Sequence, residues 1–174
     1  MTTEILEILK YILPALIVFL AVWFVLHSMI KNEQKRNHIE SIARNQRITT
    51  PIRLQAYERM TILLERISPE ALIMRVNNPS LTANQFQSEL LNTIRMEFEH
   101  NVAQQVYISN QAWELIKNAK TSVIQLINST AIKVKPDSQS IILSRMILEE
   151  LMEQEKSPVN IALEYLKTEI RQFF

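Results

Sequence analysis

Glu97 and His100 are the residues whose types and spacing come nearest to a chemical site, within the stretch EFEHNVAQQVYIS that runs from Glu97 to Ser109. On a helix, residues three apart lie on the same face. Carboxylate-bridged di-iron bundles use two Glu-x-x-His pairs and two further glutamates that point inward. The other histidines, His27 and His38, belong to no second pair. One protomer therefore cannot build this site, and a metal-dependent enzyme using Glu97 and His100 stays open only as a dimer.

A polar helix end is the alternative interpretation of the same stretch. Phe98 and Val102 continue an apolar stripe, whereas most of the polar residues around them lie off it. Such a face is either solvated and structural, or it contacts a partner. Trp113 is expected in the core or as an interface anchor, because large aromatic side chains serve in both roles. The residues predicted for a partner surface are His100, Gln104, Gln105, Tyr107, Trp113, Phe173 and Phe174.

The composition of the 174-residue chain excludes several kinds of site. It contains no glycine, so a Gly-rich phosphate loop is excluded and helices are favoured over β-hairpins. It contains no cysteine, so disulfides, thiol nucleophiles and Cys-based metal sites are excluded. A net charge of +1 gives no reason to expect nucleic acid as a partner. With so few histidines no Ser-His-Asp arrangement can be argued, and we expect neither a cofactor nor an enzyme.

The stretch from Tyr11 to Ile30 predicts a transmembrane helix. It holds no Lys, Arg, Asp or Glu, and at about 1.5 Å per residue it spans the ~30 Å core of a bilayer. Its acidic start and the lack of a cleavage site disfavour a signal peptide. Lys31, Lys35 and Arg36 follow the span and are expected to lie at the membrane surface. The positive-inside rule then predicts a single-pass protein of the bacterial inner membrane, with the N-terminus outside and the C-terminal domain cytoplasmic.

The predicted fold is all-α, with a single N-terminal transmembrane helix, a polar helical stalk and a compact bundle of about five helices. The predicted domains are an anchor at 1–30, a basic juxtamembrane stalk at 31–49 and a cytoplasmic bundle at 50–174. Apolar residues that recur every three or four positions, such as Leu54, Tyr57, Met60 and Leu64, indicate amphipathic helices. The predicted helix starts, by N-cap chemistry, are Thr50 with Pro51, Ser68 with Pro69, Thr82 with Gln85, Ser109, Asp137, and Ser157 with Pro158.

Two segments carry a resemblance to a known family. They are PIRLQAYER, from Pro51 to Arg59, and EFEHNVAQQVYISNQAWELIKNAK, from Glu97 to Lys120. Together they resemble an uncharacterised family of small single-span proteins from Bacteroidota, over most of the chain. The resemblance implies an inner-membrane location and a cytoplasmic helical domain, and it brings no catalytic residues.

The function expected from the sequence is that of a scaffold or accessory subunit, whose bundle binds other proteins of a membrane complex. Its expected partners are the bilayer, through residues 11–30, and other proteins of that complex, and a homo-oligomer is left open. Two alternatives are also left open: the dimeric metal-dependent enzyme, and a regulator that reads the membrane surface through the basic stalk.

Overall fold

The computed structural model describes the backbone of residues 2–153 and 157–172, and their side chains except at 2–15, 30, 32, 34–39, 41–43 and 45. These residues form six α-helices and one 3₁₀ helix, and they contain no β-strand. The prediction of an all-α fold is confirmed. The elements are α1 (Thr2–Ile67), α2 (Pro69–Val76), α3 (Ala83–Asn101), the 3₁₀ helix (Val102–Val106), α4 (Asn110–Ile132), α5 (Ser140–Met152) and α6 (Pro158–Arg171).

The chain divides into two compact units, residues 1–50 and 51–174. In the first unit, the large apolar side chains from Leu16 to Met29 are between 51 and 71 % exposed. Among the residues that the structure describes, no helix combines the length and the apolar character needed to cross a membrane. Residues 11–15 and 30 of the predicted span lie outside the described side chains. The transmembrane helix and the stalk therefore stay predictions.

The second unit is built around one apolar core, shared by the last part of α1 and by α2–α6. Helix α4 packs against α3, α5 and α6. The short α2 adds one helix to the five that the apolar spacing predicts, and it begins at the predicted Ser68-Pro69 pair. Helix α6 likewise begins at the predicted Ser157-Pro158 pair. Burying a large apolar side chain stabilises the fold by about 1.5–3 kcal/mol. The buried residues that α1 supplies are Ala56, Tyr57, Met60, Leu63, Leu64 and Ile67.

The predicted apolar stripes agree with the core at most positions. On α3, Phe86, Leu90 and Ile94 are fully buried. Leu54 is an exception, because it is 42 % exposed and the buried face of α1 begins only at Ala56. The spacing of apolar residues thus predicts the face of each helix well and its ends less well.

Three predicted N-caps are confirmed with their hydrogen bonds. The Ser68 hydroxyl caps α2 by accepting from a backbone N–H of its first turn. The Thr82 hydroxyl accepts from the backbone N–H of Gln85, and the Gln85 side chain accepts from the N–H of Thr82, which forms a capping box. The Ser109 hydroxyl accepts from the N–H of Ala112 at 3.0 Å. Each cap satisfies an N–H group that the helix itself leaves unpaired.

Two predicted helix starts are wrong. Thr50 and Pro51 begin no helix, because α1 runs through both of them. The helical context on both sides prevails there over the preference of proline for a first turn. Asp137 does not cap α5, which begins at Ser140 with Gln139 at the N-cap position. Asp137 lies instead in the exposed turn before it.

The loop before α3 and the loop before α5 pair with each other. The N–H of Ala83 donates to the Ser138 carbonyl at 2.7 Å, and the N–H of Ser140 donates to the Leu81 carbonyl at 3.1 Å. The buried Ser140 hydroxyl donates to the carbonyl of Asn78 at 3.0 Å. These bonds satisfy backbone groups outside the helices, and they hold the first turns of α3 and α5 side by side.

The core of the second unit can be tested with two leucines on the same helix. Replacing the fully buried Leu64 by Ala should lower the free energy of unfolding by about 2–5 kcal/mol, because it removes apolar contacts and leaves a cavity. Leu54→Ala is the matched control, since Leu54 is 42 % exposed, and it should cost less than about 1 kcal/mol. Urea unfolding of the full chain in detergent micelles, followed by circular dichroism, measures both. Equal losses would contradict the described packing of α1.

Candidate functional site

The Glu97 carboxylate on α3 is paired with two arginines from neighbouring helices. Its Oε1 atom lies 2.8 Å from Nη2 of Arg66 and 3.3 Å from Nη1 of Arg75. Arg75 also donates through Nη2 to the backbone carbonyl of Arg66 at 3.4 Å. The Glu97 side chain is only 17 % exposed. Glu97 therefore joins the ends of α1 and α2 to α3.

His100 does not join Glu97 in a cluster of metal ligands. Its side chain is exposed, one turn beyond Glu97. In the part of the chain that the structure describes, no three His, Asp or Glu side chains are placed to hold a metal ion. A metal at Glu97 would have to displace the two guanidinium groups that already pair with its carboxylate. The dimeric metal-dependent enzyme stays an untested alternative.

Helix α3 ends at Asn101, and the chain does not continue from there as a regular α-helix. The side chain of the buried Asn101 turns back and donates to the Glu97 carbonyl at 2.9 Å. The chain then tightens into the 3₁₀ helix, whose narrower turn changes the direction in which side chains point. The predicted continuation of the apolar stripe to Val102 is wrong, because Val102 is exposed. Sequence spacing could not reveal this change, since it assumes 3.6 residues per turn throughout.

Most of the predicted partner residues around the 3₁₀ helix are exposed. His100 and Gln105 are exposed, whereas Gln104 is half-buried. Val106 is 76 % exposed and Tyr107 is 43 % exposed. We call this surface the 3₁₀ surface, and it consists of His100, Val102, Gln105, Val106 and Tyr107.

Trp113 lies at the edge of the core. It is partly buried, and its ring stacks on Phe98 with ring centres 5.2 Å apart. On the same Phe98 ring, the Lys120 ammonium lies 3.9 Å from the ring centre. Aromatic stacking and a cation over a ring each contribute about 0.5–1.5 kcal/mol. Trp113 thus ties α4 to α3, and only its remaining exposed part is open to a partner.

A polar cluster at the beginning of the second unit was not predicted. Arg53 donates through Nε to the carbonyl of Tyr107 at 3.3 Å. Burial raises the pKa of the Tyr57 phenol above its ordinary value of 10.0, and the nearby Glu169 carboxylate raises it further, whereas Arg53 and the Ser109 backbone act in the opposite direction. The cluster joins α1, the chain after the 3₁₀ helix, and α6. In the sequence, Tyr57 is visible only as one member of an apolar stripe.

Several predicted residues are not described. Phe173 and Phe174 lie outside the described residues. The side chains of Lys35 and Arg36 are also outside them, whereas Lys31 is described and exposed. The terminal docking tail and most of the predicted membrane-surface group therefore stay predictions.

A family profile matches nearly the whole chain, from residue 3 to residue 173, and its description is a family of unknown function, DUF7935. The chain belongs to this family. No curated protein and no solved structure matches the chain. The predicted membership of a family of unknown function is thereby confirmed. The Bacteroidota lineage and the membrane location stay predictions, and no DUF7935 activity adds a role to any residue of the site.

The Tyr57 cluster predicts a loss of stability in alkali. The unfolded phenol ionises near its ordinary pKa of 10.0, whereas the folded phenol keeps its proton to higher pH. Its contribution to stability is therefore complete below about pH 10 and is lost as the pH rises through the folded pKa. Tyr57→Phe removes this contribution, so its free energy of unfolding should fall less steeply above pH 10 than that of the unaltered chain. Urea unfolding at stepped pH measures both slopes, and parallel curves would contradict the assignment.

Proposed function

We propose that the chain is a single-span protein of the bacterial inner membrane, whose second unit binds other proteins as a scaffold or accessory subunit. The observation that carries this proposal is the exposure of the apolar side chains from Leu16 to Met29. Exposed apolar patches of this length are rare on monomeric soluble proteins and mark contact with lipid or protein. The proposed role is binding and not catalysis.

Lipid is the proposed environment of this segment. The described residues from Leu16 to Met29 contain no Lys, Arg, Asp or Glu, and in the sequence the same character extends from Tyr11 to Ile30. Moving each large apolar side chain out of water is favourable by about 1.5–3 kcal/mol. Backbone groups in lipid must be satisfied within the segment, and an α-helix does this. The helical conformation recorded for these residues therefore suits a bilayer.

The proposed orientation rests on the charges that follow the segment. Lys31, Arg44 and Arg47 are described and exposed. The N-terminal side carries Glu4 and Glu7. Basic residues close to a span are retained on the cytoplasmic side. We therefore place the N-terminus outside and the second unit in the cytoplasm.

The 3₁₀ surface is the proposed contact with a partner protein. Val106 and Tyr107 expose apolar side chains, and His100 and Gln105, which are close to them in the chain, expose hydrogen-bonding side chains. Tyrosine is among the residues most often found at the centre of protein interfaces. The Arg53 contact to the Tyr107 carbonyl holds the backbone of this patch in place. A surface that is ordered before binding loses less entropy when the partner arrives.

Charge placed in the apolar segment tests the membrane anchor. Leu20→Arg combined with Phe24→Arg should move most of the protein out of the membrane fraction, because each Arg at the middle of a span costs about 2.5–3.5 kcal/mol of insertion. The matched control is Ile132→Arg, at a residue that is 86 % exposed in the second unit. Alkaline extraction of membranes, followed by quantitative immunoblotting, measures the membrane-bound fraction. Retention of the double variant at the level of the control would refute the anchor.

Protease treatment tests the orientation separately. In spheroplasts, an epitope tag on the C-terminus should resist protease added from outside and should become sensitive once the membrane is permeabilised. A tag that is digested in intact spheroplasts would place the second unit on the opposite side of the membrane.

Photo-cross-linking tests the 3₁₀ surface. A photoreactive amino acid in place of Tyr107 should give a defined cross-linked protein in intact membranes, and the additional change Val106→Arg should remove that product, since a charge in an apolar contact is costly. The same photoreactive residue at Ile132 is the control, because that side chain is even more exposed and lies outside the 3₁₀ surface. Cross-linking at Ile132 to the same protein, or no loss with Val106→Arg, would contradict the assignment.

A further inference from the structure

An open cleft of about 620 Å³ lies on the second unit, beside the last turns of α1 and α2. Glu89, Thr93 and Glu97 line one of its sides, and since they are four residues apart they form one face of α3. Arg66 and Arg75 line it as well. The cleft therefore brings together two guanidinium groups, two carboxylates and one hydroxyl.

The two arginines are held in place by contacts within the chain. Both reach the same carboxylate oxygen, Oε1 of Glu97, at 2.8 Å from Arg66 and 3.3 Å from Arg75. The second contact of Arg75, to the backbone carbonyl of Arg66, fixes the plane of its guanidinium group. Donors fixed in advance bind an anion at a smaller entropic cost than mobile ones.

The arginine pair has more hydrogen-bond donors than Glu97 uses. Each guanidinium group carries five N–H donors. The contacts recorded for the described residues involve Nη2 of Arg66 and Nη1 and Nη2 of Arg75. The Arg66 side chain is 51 % exposed and that of Arg75 is 33 % exposed, so further donors can reach an acceptor in the cleft.

The charges around the pair give a phosphate no advantage over a carboxylate. Glu89 and Glu97 line the same cleft and balance the two arginines. Because the four charges cancel, the second charge of a phosphate gains no net attraction there. A planar carboxylate also matches the fork of an arginine in a two-point contact. The contact with Glu97 already shows that the arginine pair binds a carboxylate oxygen.

We propose that the cleft is a binding site for a carboxylate group, held by Arg66 and Arg75 in competition with Glu97. The incoming carboxylate takes the donors that Glu97 leaves unused, and the Glu97 carboxylate lowers its affinity because it repels the ligand and occupies the remaining donors. The described residues that line the cleft all lie between 66 and 97. Its role does not depend on the membrane anchor, and a negative result here leaves the anchor proposal intact.

The test is a nuclear magnetic resonance titration of the full chain in detergent micelles, which follows the arginine side-chain N–H signals. Acetate is the probe, sodium chloride of equal ionic strength is the salt control, and phosphate is the competing anion. Acetate should shift the signals of Arg66 and Arg75 in a saturable manner. The signal of Arg145, which is exposed on α5, should follow the chloride control.

Substitutions separate a ligand site from a purely structural ion pair. Glu97→Gln removes the internal competitor at almost constant shape, so acetate should bind several-fold more tightly to this variant. Arg75→Gln should abolish the shift at Arg66. Glu164→Gln is the matched control, because it breaks an exposed ion pair of similar length, with Lys167 at 2.8 Å, and should leave acetate binding unchanged.

Three results would overturn the proposal. The first is a set of shifts that acetate and chloride produce equally, which would show a general salt effect. The second is saturation by phosphate at lower concentration than by acetate, which would show that the site selects a different anion. The third is an unchanged acetate affinity in Glu97→Gln, which would leave the ion pair with a structural role only. The titration of the unaltered chain decides the first two even if the Glu97→Gln variant fails to fold.

Discussion

Burial of one face of α1, from Ala56 to Ile67, is the constraint on which the arrangement of the second unit depends. The residues of this face are at most 1 % exposed. Because successive residues on a helix are rotated by about 100°, burial of this face also decides where every other side chain of the segment points. It directs Arg53 toward the chain after the 3₁₀ helix, and it directs Arg66 toward Glu97. Both polar clusters therefore follow from the packing of a single apolar stripe.

A chain without glycine has to turn without the left-handed backbone conformation that glycine favours. Among the described residues none has a positive φ angle. The helices of the second unit instead begin at capping side chains such as Thr82 and Ser109, and the loops before α3 and α5 satisfy each other's backbone groups. Between α3 and α4 the chain changes direction through the 3₁₀ helix after Asn101, which also needs no positive φ angle. Val106 and Tyr107 are exposed at the end of this 3₁₀ helix.

Glu97 illustrates how local spacing and tertiary contact can suggest different chemistry. In the sequence its nearest notable neighbour is His100, and a Glu-x-x-His pair is typical of metal sites. In the fold its neighbours are Arg66 and Arg75, which come from two earlier helices. Local spacing places Glu97 and His100 on one helix face, whereas the fold pairs the Glu97 carboxylate with two guanidinium groups.

The sequence by itself determined the helical class of the protein, the buried faces of most helices and several of their first residues. These features depend on residues three or four positions apart, and such residues are adjacent on any helix. It also determined the composition of the apolar segment from Tyr11 to Ile30, on which the proposed anchor rests.

Only the tertiary structure decided which polar residues meet. The cluster of Arg53, Tyr57 and Glu169 and the pairing of Glu97 with two arginines join helices that are far apart along the chain. No local spacing encodes these contacts, because they depend on the relative rotation and position of packed helices. The same packing decided that Trp113 stacks on Phe98. The 3₁₀ geometry decided the exposure of Val102, since a change in residues per turn is not visible in a pattern that assumes a regular helix.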